Sequence, residues 1–197
     1  MYDAPPCSIV LVGNAPSLLR RPGLGLAIDA FPVVVRFNNF VTTGYETFVG
    51  AKTSRWARAE NDDILPRTEA FDRIVLRLQG EREDTFRAGE AALLPKLRRD
   101  YPDAAIDVIP RRVFTDLIDT YGFANAPLTG TLVASYLLET HERIAVCGFD
   151  NLTGTPESPR HYYDAGNIIG DWTTYHEPDK EAAYLREQIN AGRVVVL

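Results

Sequence analysis

The sequence predicts an α/β fold, a single domain with a parallel-rich sheet and helices on both faces. Three observations point there. Short apolar runs rich in β-branched residues alternate with charge-bearing stretches of helical spacing from one end to the other. The chain has 197 residues, 45% of them hydrophobic, which suits one α/β domain and is cramped for two. No internal repeat, linker or low-complexity stretch breaks the alternation, so residues 1–197 read as one domain.

Each element has its own signal. Residues 8–12 form a short apolar run ending at Gly13, a buried strand. Residues 23–29 read as a short helical segment. Residues 33–37 are a second strand, 52–57 a third and 73–78 a fourth. Residues 83–100 read as a long charged surface helix that Pro95 should kink or divide. A strand over 105–109 is stopped by Pro110, and a helix over 112–121 is stopped by Gly122. Residues 129–139 carry an apolar helical face, and 143–147 form another buried strand running into Gly148, Phe149 and Asp150. A loop-rich segment spans 151–175, followed by a helix over 178–190 and a last strand over 193–197.

Charge and composition exclude several functions. Lys and Arg number 21 against 27 Asp and Glu, a net charge of −6, and a nucleic-acid partner asks for a basic face instead. No run approaches the ~20 apolar residues needed to span a bilayer. The first six residues carry no basic region and no long apolar region, so they do not read as a signal peptide. Cys7 and Cys147 are the only cysteines and lack C-x-x-C spacing; with three scattered histidines they offer no zinc site. Two buried thiols suit a reducing, cytoplasmic setting.

In parallel α/β folds ligands bind beyond the carboxyl ends of the strands. There the sequence places Gly13, Asn14 and Ser17, in a turn that lacks the G-x-G-x-x-G of a nicotinamide enzyme. Taken alone this is an ordinary strand-to-helix turn. Asn38 and Asn39 follow the second strand, where amides hydrogen-bond a nucleotide or simply cap a loop. Thr129 is placed to cap a helix whose next residues, Gly130 and Thr131, offer backbone amides to an anion. The late loop holds His161, Tyr162, Tyr163 and His176, a concentration that favours an active site over solvated loop residues. His176 precedes Pro178, a usual first-turn residue, so the electropositive helix start should keep its imidazole neutral. His141 reads as a surface turn residue, and Asp62 and Asp63 as solvated charges rather than a D-x-D metal motif.

These segments, in this order, resemble the sialyltransferases of glycosyltransferase family 29. The long motif is similar to Val12 through Leu18, then Ile28-Asp29, then Val35-Arg36-Phe37-Asn38, then Val49-Gly50-Ala51-Lys52-Thr53. The short motif is similar to Pro127-Leu128-Thr129-Gly130 and, further on, Cys147-Gly148-Phe149. His161-Tyr162-Tyr163 resembles the third motif, and His176 with Glu181 the last. The Gly13-Asn14-Ala15-Pro16-Ser17-Leu18 run also resembles the bacterial sialyltransferases of family 42. Departures are specific. The cysteine pair of animal members falls at Ile9 and His141, and Leu128 replaces a serine of the short motif. The short chain leaves little room for acceptor-binding insertions or a membrane anchor, which implies a bacterial-type cytoplasmic enzyme.

The resemblance implies a Rossmann-like domain, a GT-A-like variant, that moves sialic acid from CMP-sialic acid to a sugar hydroxyl with inversion. It implies a CMP-sugar donor, a glycan or glycolipid acceptor and peripheral membrane contact at most. No metal or cofactor is expected, because the donor carries one phosphate rather than a diphosphate. His176 would be the general base, and His161 would assist the leaving phosphate. Gly13, Asn14, Ser17 and Asn38 would hold the nucleotide from one side, and Thr129, Gly130, Thr131, Tyr162 and Tyr163 would complete its site. Glu181 would anchor the start of its own helix. Three alternatives stand beside this: a CMP-Kdo transferase of capsule or lipopolysaccharide synthesis, a magnesium-dependent enzyme on a similar loop using Asp150 and Asp164, and a non-catalytic nucleotide-binding protein.

Overall fold

A computed structural model describes residues 7–150, 161–163 and 176–197. Among these, seven strands form one sheet: β1 (Ile9–Val12), β2 (Val33–Phe37), β3 (Arg55–Ala59), β4 (Arg73–Arg77), β5 (Ala105–Val108), β6 (Ile144–Cys147) and β7 (Val194–Val196). Their order is β5-β4-β3-β2-β1-β6-β7, and every pairing is parallel. The connecting helices are α1 (Leu24–Asp29), α2 (Glu46–Val49), α3 (Glu83–Asp100), α4 (Arg111–Tyr121), α5 (Thr129–Leu137) and α6 (Pro178–Asn190). A 3-10 turn, Pro16–Arg20, follows β1.

Two-residue periodicity splits the strand side chains between two cores. Ile9, Leu11, Val35, Val75 and Val146 face α4, α5 and α6, meeting Val113, Leu132 and Leu185. Val10, Val12, Val34 and Ala145 face Ile28 of α1 and Val49 of α2. Trp56, Ile74 and Leu76 extend that second side under Phe86 and Leu97 of α3. Each fully buried Val, Leu or Ile contributes about 1.5–3 kcal/mol, which is why both faces need helices.

Three elements differ from expectation by more than a residue or in their continuity. The third strand starts at Arg55 rather than at 52, because Arg36 and Asp29 claim the polar groups of Lys52 and Thr53. α3 runs unbroken over its 18 residues despite Pro95. The carbonyl that Pro95 leaves without a helical partner belongs to Ala91, and both residues are exposed, so water is available to it. α5 stops at Leu137 and closes in a turn, where His141 Nδ1 lies 3.0 Å from the Leu137 carbonyl.

The chain moves outward from β1 to β5, then returns through α4 and α5 to lay β6 on the other side of β1. The strand order therefore reverses between β1 and β6. That reversal opens a crevice at the carboxyl ends of the two strands.

Candidate active site

Gly13 and Gly148 frame the crevice. The Gly13 N–H donates to the Cys147 carbonyl at 2.8 Å. A Cβ on Gly13 would sit 2.1 Å from the Gly148 carbonyl oxygen, and Gly148 itself has φ +68°. Only glycine allows the two chain segments to lie this close.

Asn14 follows directly. Its Nδ2 donates to the Phe37 carbonyl at 3.2 Å, while its buried Oδ1 has no partner among the described residues. The Asn14 carbonyl accepts the Tyr162 N–H at 2.9 Å, which brings the third motif to the crevice. Tyr162, expected at the nucleotide, is buried: its hydroxyl donates to the Val41 carbonyl and its ring meets Tyr45 edge-on at 5.2 Å. Its neighbours His161 and Tyr163 pair their rings at 5.1 Å and are less buried.

Ser17 also takes a supporting position. Its N–H reaches Asp150 Oδ2 at 3.1 Å and its hydroxyl donates to Asp150 Oδ1, joining the turn after β1 to the segment after β6. Asn38 adopts a left-handed backbone, φ 50°, and its Oδ1 accepts the Ala59 N–H at 2.9 Å. Asn39 bridges the Asp63 carbonyl and the Leu65 N–H. Both amides cap loops, the simpler of the two readings their sequence allowed.

Arg36 explains the fixed spacing from its motif to Val49-Gly50-Ala51-Lys52-Thr53. It is fully buried and donates to the carbonyls of Val49, Gly50 and Lys52 and to the Thr53 hydroxyl, at 2.7–3.1 Å. Asp29 accepts the N–H groups of Ala51 and Lys52 at 3.0 and 2.9 Å. The long motif beyond Ser17 is thus largely a scaffold that holds β2 against the loop before β3.

The last motif clamps the short one. Glu177 accepts the N–H groups of Ala124 and Asn125 at 2.6 and 2.9 Å. Glu181 accepts the Leu128 N–H at 2.6 Å and the Thr131 hydroxyl. Two expectations are corrected here. Thr129 is the first residue of α5 rather than its cap, and Glu181 serves α5 instead of the start of α6. The physical reason is that a carboxylate from the neighbouring helix meets the unpaired amide better than the local hydroxyl. Thr131 is fully buried, so its hydroxyl belongs to this clamp. Gly130 lets α5 approach Phe149: a Cβ there would lie 2.6 Å from the ring.

His176 Nδ1 lies 3.1 Å from the Ala126 carbonyl, in the middle of the clamped segment. A carbonyl only accepts, so Nδ1 carries the proton and the neutral ring keeps its lone pair on Nε2. Its pKa is lowered, first by burial and further by Arg77, against the pull of the Ala126 carbonyl. The direction is the one expected, but burial is the main cause. Glu181, fully buried, is raised to about 7. Arg77, at the end of β4, was not singled out in the sequence; the signal was a charge closing an otherwise apolar strand core.

Among the described residues no group of three or more His, Cys, Asp or Glu could hold a metal ion, and Asp150 is engaged with Ser17. Asp164 lies outside the described residues.

A parallel sheet with its crevice at the β1–β6 reversal, and a half-buried histidine held against the segment before α5, define a Rossmann-like α/β chain. Residues 5–59 match the family model described as Glycosyltransferase family 29 (sialyltransferase), in agreement with the motif resemblance. The chain is 27% identical, over a 213-residue alignment, to the rat CMP-N-acetylneuraminate-beta-1,4-galactoside alpha-2,3-sialyltransferase, covering 92% of this chain and 55% of the relative. It is 24% identical, over a 220-residue alignment, to the rat type 2 lactosamine alpha-2,3-sialyltransferase, covering 100% of this chain and 66% of that one. The chain thus spans little more than half the length of the first of these relatives. A crystal structure of a mammalian sialyltransferase in complex with Gal-beta-1-3GalNAc-ortho-nitrophenol superposes with a TM-score of 0.67 at 16% identity, over 96% of this chain and 68% of that one. This last likeness establishes the fold.

Proposed function

We propose that the chain transfers sialic acid from CMP-sialic acid to a hydroxyl of a glycan or glycolipid, with inversion and without a metal. His176 is the general base. The observation that carries this is its fixed tautomer: Nδ1 faces the Ala126 carbonyl, and burial favours the neutral ring. A neutral imidazole with its lone pair on Nε2 is what abstraction of a hydroxyl proton near pH 7 requires. The named activity of the curated relatives, CMP-N-acetylneuraminate-dependent sialyl transfer, supports the same donor. The nucleotide lies in the β1–β6 crevice, where Asn14 Oδ1 accepts from it. His161 and Tyr163 stand on the phosphate side and help the CMP leave. The cytoplasmic setting is part of the same proposal, supported by the free thiols of Cys7 and Cys147.

The test is a thermal-shift screen of nucleotides, which needs no knowledge of the acceptor. CMP and CDP should raise the melting temperature, whereas NAD and UDP should not. A ligand at 100 times its Kd adds about 2.7 kcal/mol. Stabilisation by UDP or NAD alone overturns the cytidine assignment.

A further inference from the structure

We propose that Arg77 is an anion-binding residue that takes the carboxylate of a sugar bound against His176, a reading that rests on the sialyl-transfer function above. Arg77 closes β4 at the carboxyl end, on the same strand face as Val75, against which α5 packs. The residue is only 8% exposed, yet no hydrogen bond or ion pair reaches its guanidinium among the described residues, and its Nε is sealed from solvent.

Other buried arginines of the chain are satisfied. Arg36 donates to three carbonyls and a hydroxyl. Arg58 donates Nε to the Ala59 carbonyl at 2.9 Å and lies 5.3 Å from the Trp56 ring centroid. Among the described residues Arg77 has only carboxylates that make no hydrogen bond or ion pair to it. Glu60, Glu81 and Glu181 attract it, but Glu60 is bonded to the Gln79 N–H and Glu181 to Leu128 and Thr131. Those carboxylates offset its charge without supplying acceptors. A guanidinium keeps its proton and presents a planar fork of donors, a geometry that matches a carboxylate.

Arg77 is close enough to His176 to oppose protonation of the imidazole. The base takes its proton from the hydroxyl that attacks the anomeric carbon, and in sialic acid that carbon itself bears the carboxylate. A carboxylate beside the base is therefore intrinsic to the donor. An acidic acceptor, such as a uronic-acid glycan, would bring the same group to the same place.

The experiment compares wild type with Arg77→Met and Arg77→Lys. Calorimetry measures CMP and CMP-sialic acid, thermal shift measures free N-acetylneuraminate against neutral N-acetylmannosamine, and transfer is assayed to neutral and to carboxylate-bearing acceptors. Arg77→Met should lose about 30-fold or more in affinity for CMP-sialic acid while CMP binding holds, and Arg77→Lys should recover part of it. If CMP-sialic acid binding holds and the same factor is lost in kcat/KM for carboxylate-bearing acceptors alone, the carboxylate is the acceptor's. Free Arg77→Met should also melt above wild type, because methionine buries no unpaired charge. Equal loss of CMP and CMP-sialic acid, or unchanged behaviour in every arm, overturns the proposal. So does a lower melting temperature with ligand affinities intact, which marks Arg77 as structural. Failure of CMP to bind wild type removes the sialyl-transfer reading alone. N-acetylneuraminate then still decides Arg77: stabilisation of wild type but not of Arg77→Met supports it, and no stabilisation of wild type overturns it.

Discussion

Glu181 accepts a hydrogen bond from the Thr131 hydroxyl, so the first turn of one helix holds the first turn of another. The same carboxylate takes the Leu128 N–H, and five residues earlier His176 takes the Ala126 carbonyl. The separation of His176 and Glu181 in the sequence is therefore the separation of two grips on the segment that leads into α5. His176 is therefore positioned by the connection between α4 and α5.

Stability should depend on pH through Glu181. Burial raises its pKa to about 7, above the ~4.3 of an unfolded glutamate. The folded state therefore binds the extra proton between these values. The contribution is full below the lower value and is lost as pH rises through about 7. The swing is about 4 kcal/mol at most. His176 acts in the opposite direction, since its pKa is lowered and its contribution grows as pH rises towards the ordinary histidine value. Urea unfolding at pH 5 and pH 8 measures the sum, and Glu181→Gln should remove the fall. An unchanged fall in that variant assigns it to another group.

Loss of the base should be seen in turnover. His176→Ala is expected to cut kcat by roughly 100- to 10,000-fold, the usual worth of general base catalysis, with CMP affinity held. The acidic limb of the kcat profile should lie below the ordinary histidine value, because partial burial disfavours the protonated imidazole. His161→Ala should weaken nucleotide binding together with turnover. Near-full activity of His176→Ala with a lower melting temperature would make the residue structural.

Gly13 admits no side chain. Its Cβ would lie 2.1 Å from a carbonyl oxygen of Gly148, a backbone atom that cannot rotate away. Gly13→Ala should cost about 3 kcal/mol or more, read as a lower urea midpoint, and CMP binding should fall with it. Gly130→Ala should cost less, since the atom it meets is the Phe149 ring edge. Equal costs would mean that the crevice walls yield.

Transfer or donor hydrolysis should survive EDTA. A donor with one phosphate asks for protein donors and a histidine rather than a divalent ion. Activity lost to EDTA and restored by magnesium would favour the alternative that draws on Asp150.

The sheet was legible because its signals are local. Apolar period-two runs and their glycine stops are written in consecutive residues, so all seven strands appeared within a few residues of their places. The third strand shifted because Arg36, from a different strand, captures the groups that would have begun it. The glycines of the crevice were legible for the same local reason, as punctuation at the ends of β1 and β6.

The roles of the polar residues were less accessible. Nothing adjacent to Ser17 in the chain indicates Asp150, and nothing near Thr131 indicates Glu181. Sequence spacing brought Asn38, Tyr162 and Thr131 to the right region, but tertiary contacts consume the Asn38 carboxamide oxygen and the hydroxyls of Tyr162 and Thr131 internally. The sequence by itself determined the α/β class, the crevice and the identity of the candidate base, because these follow from periodicity and motif. Only the tertiary structure decided which nitrogen of His176 faces the Ala126 carbonyl, which motif residues are scaffold, and that Arg77 is buried with no hydrogen bond or ion pair among the described residues. Those depend on hydrogen bonds and desolvation between segments far apart in the chain, and no local pattern encodes either.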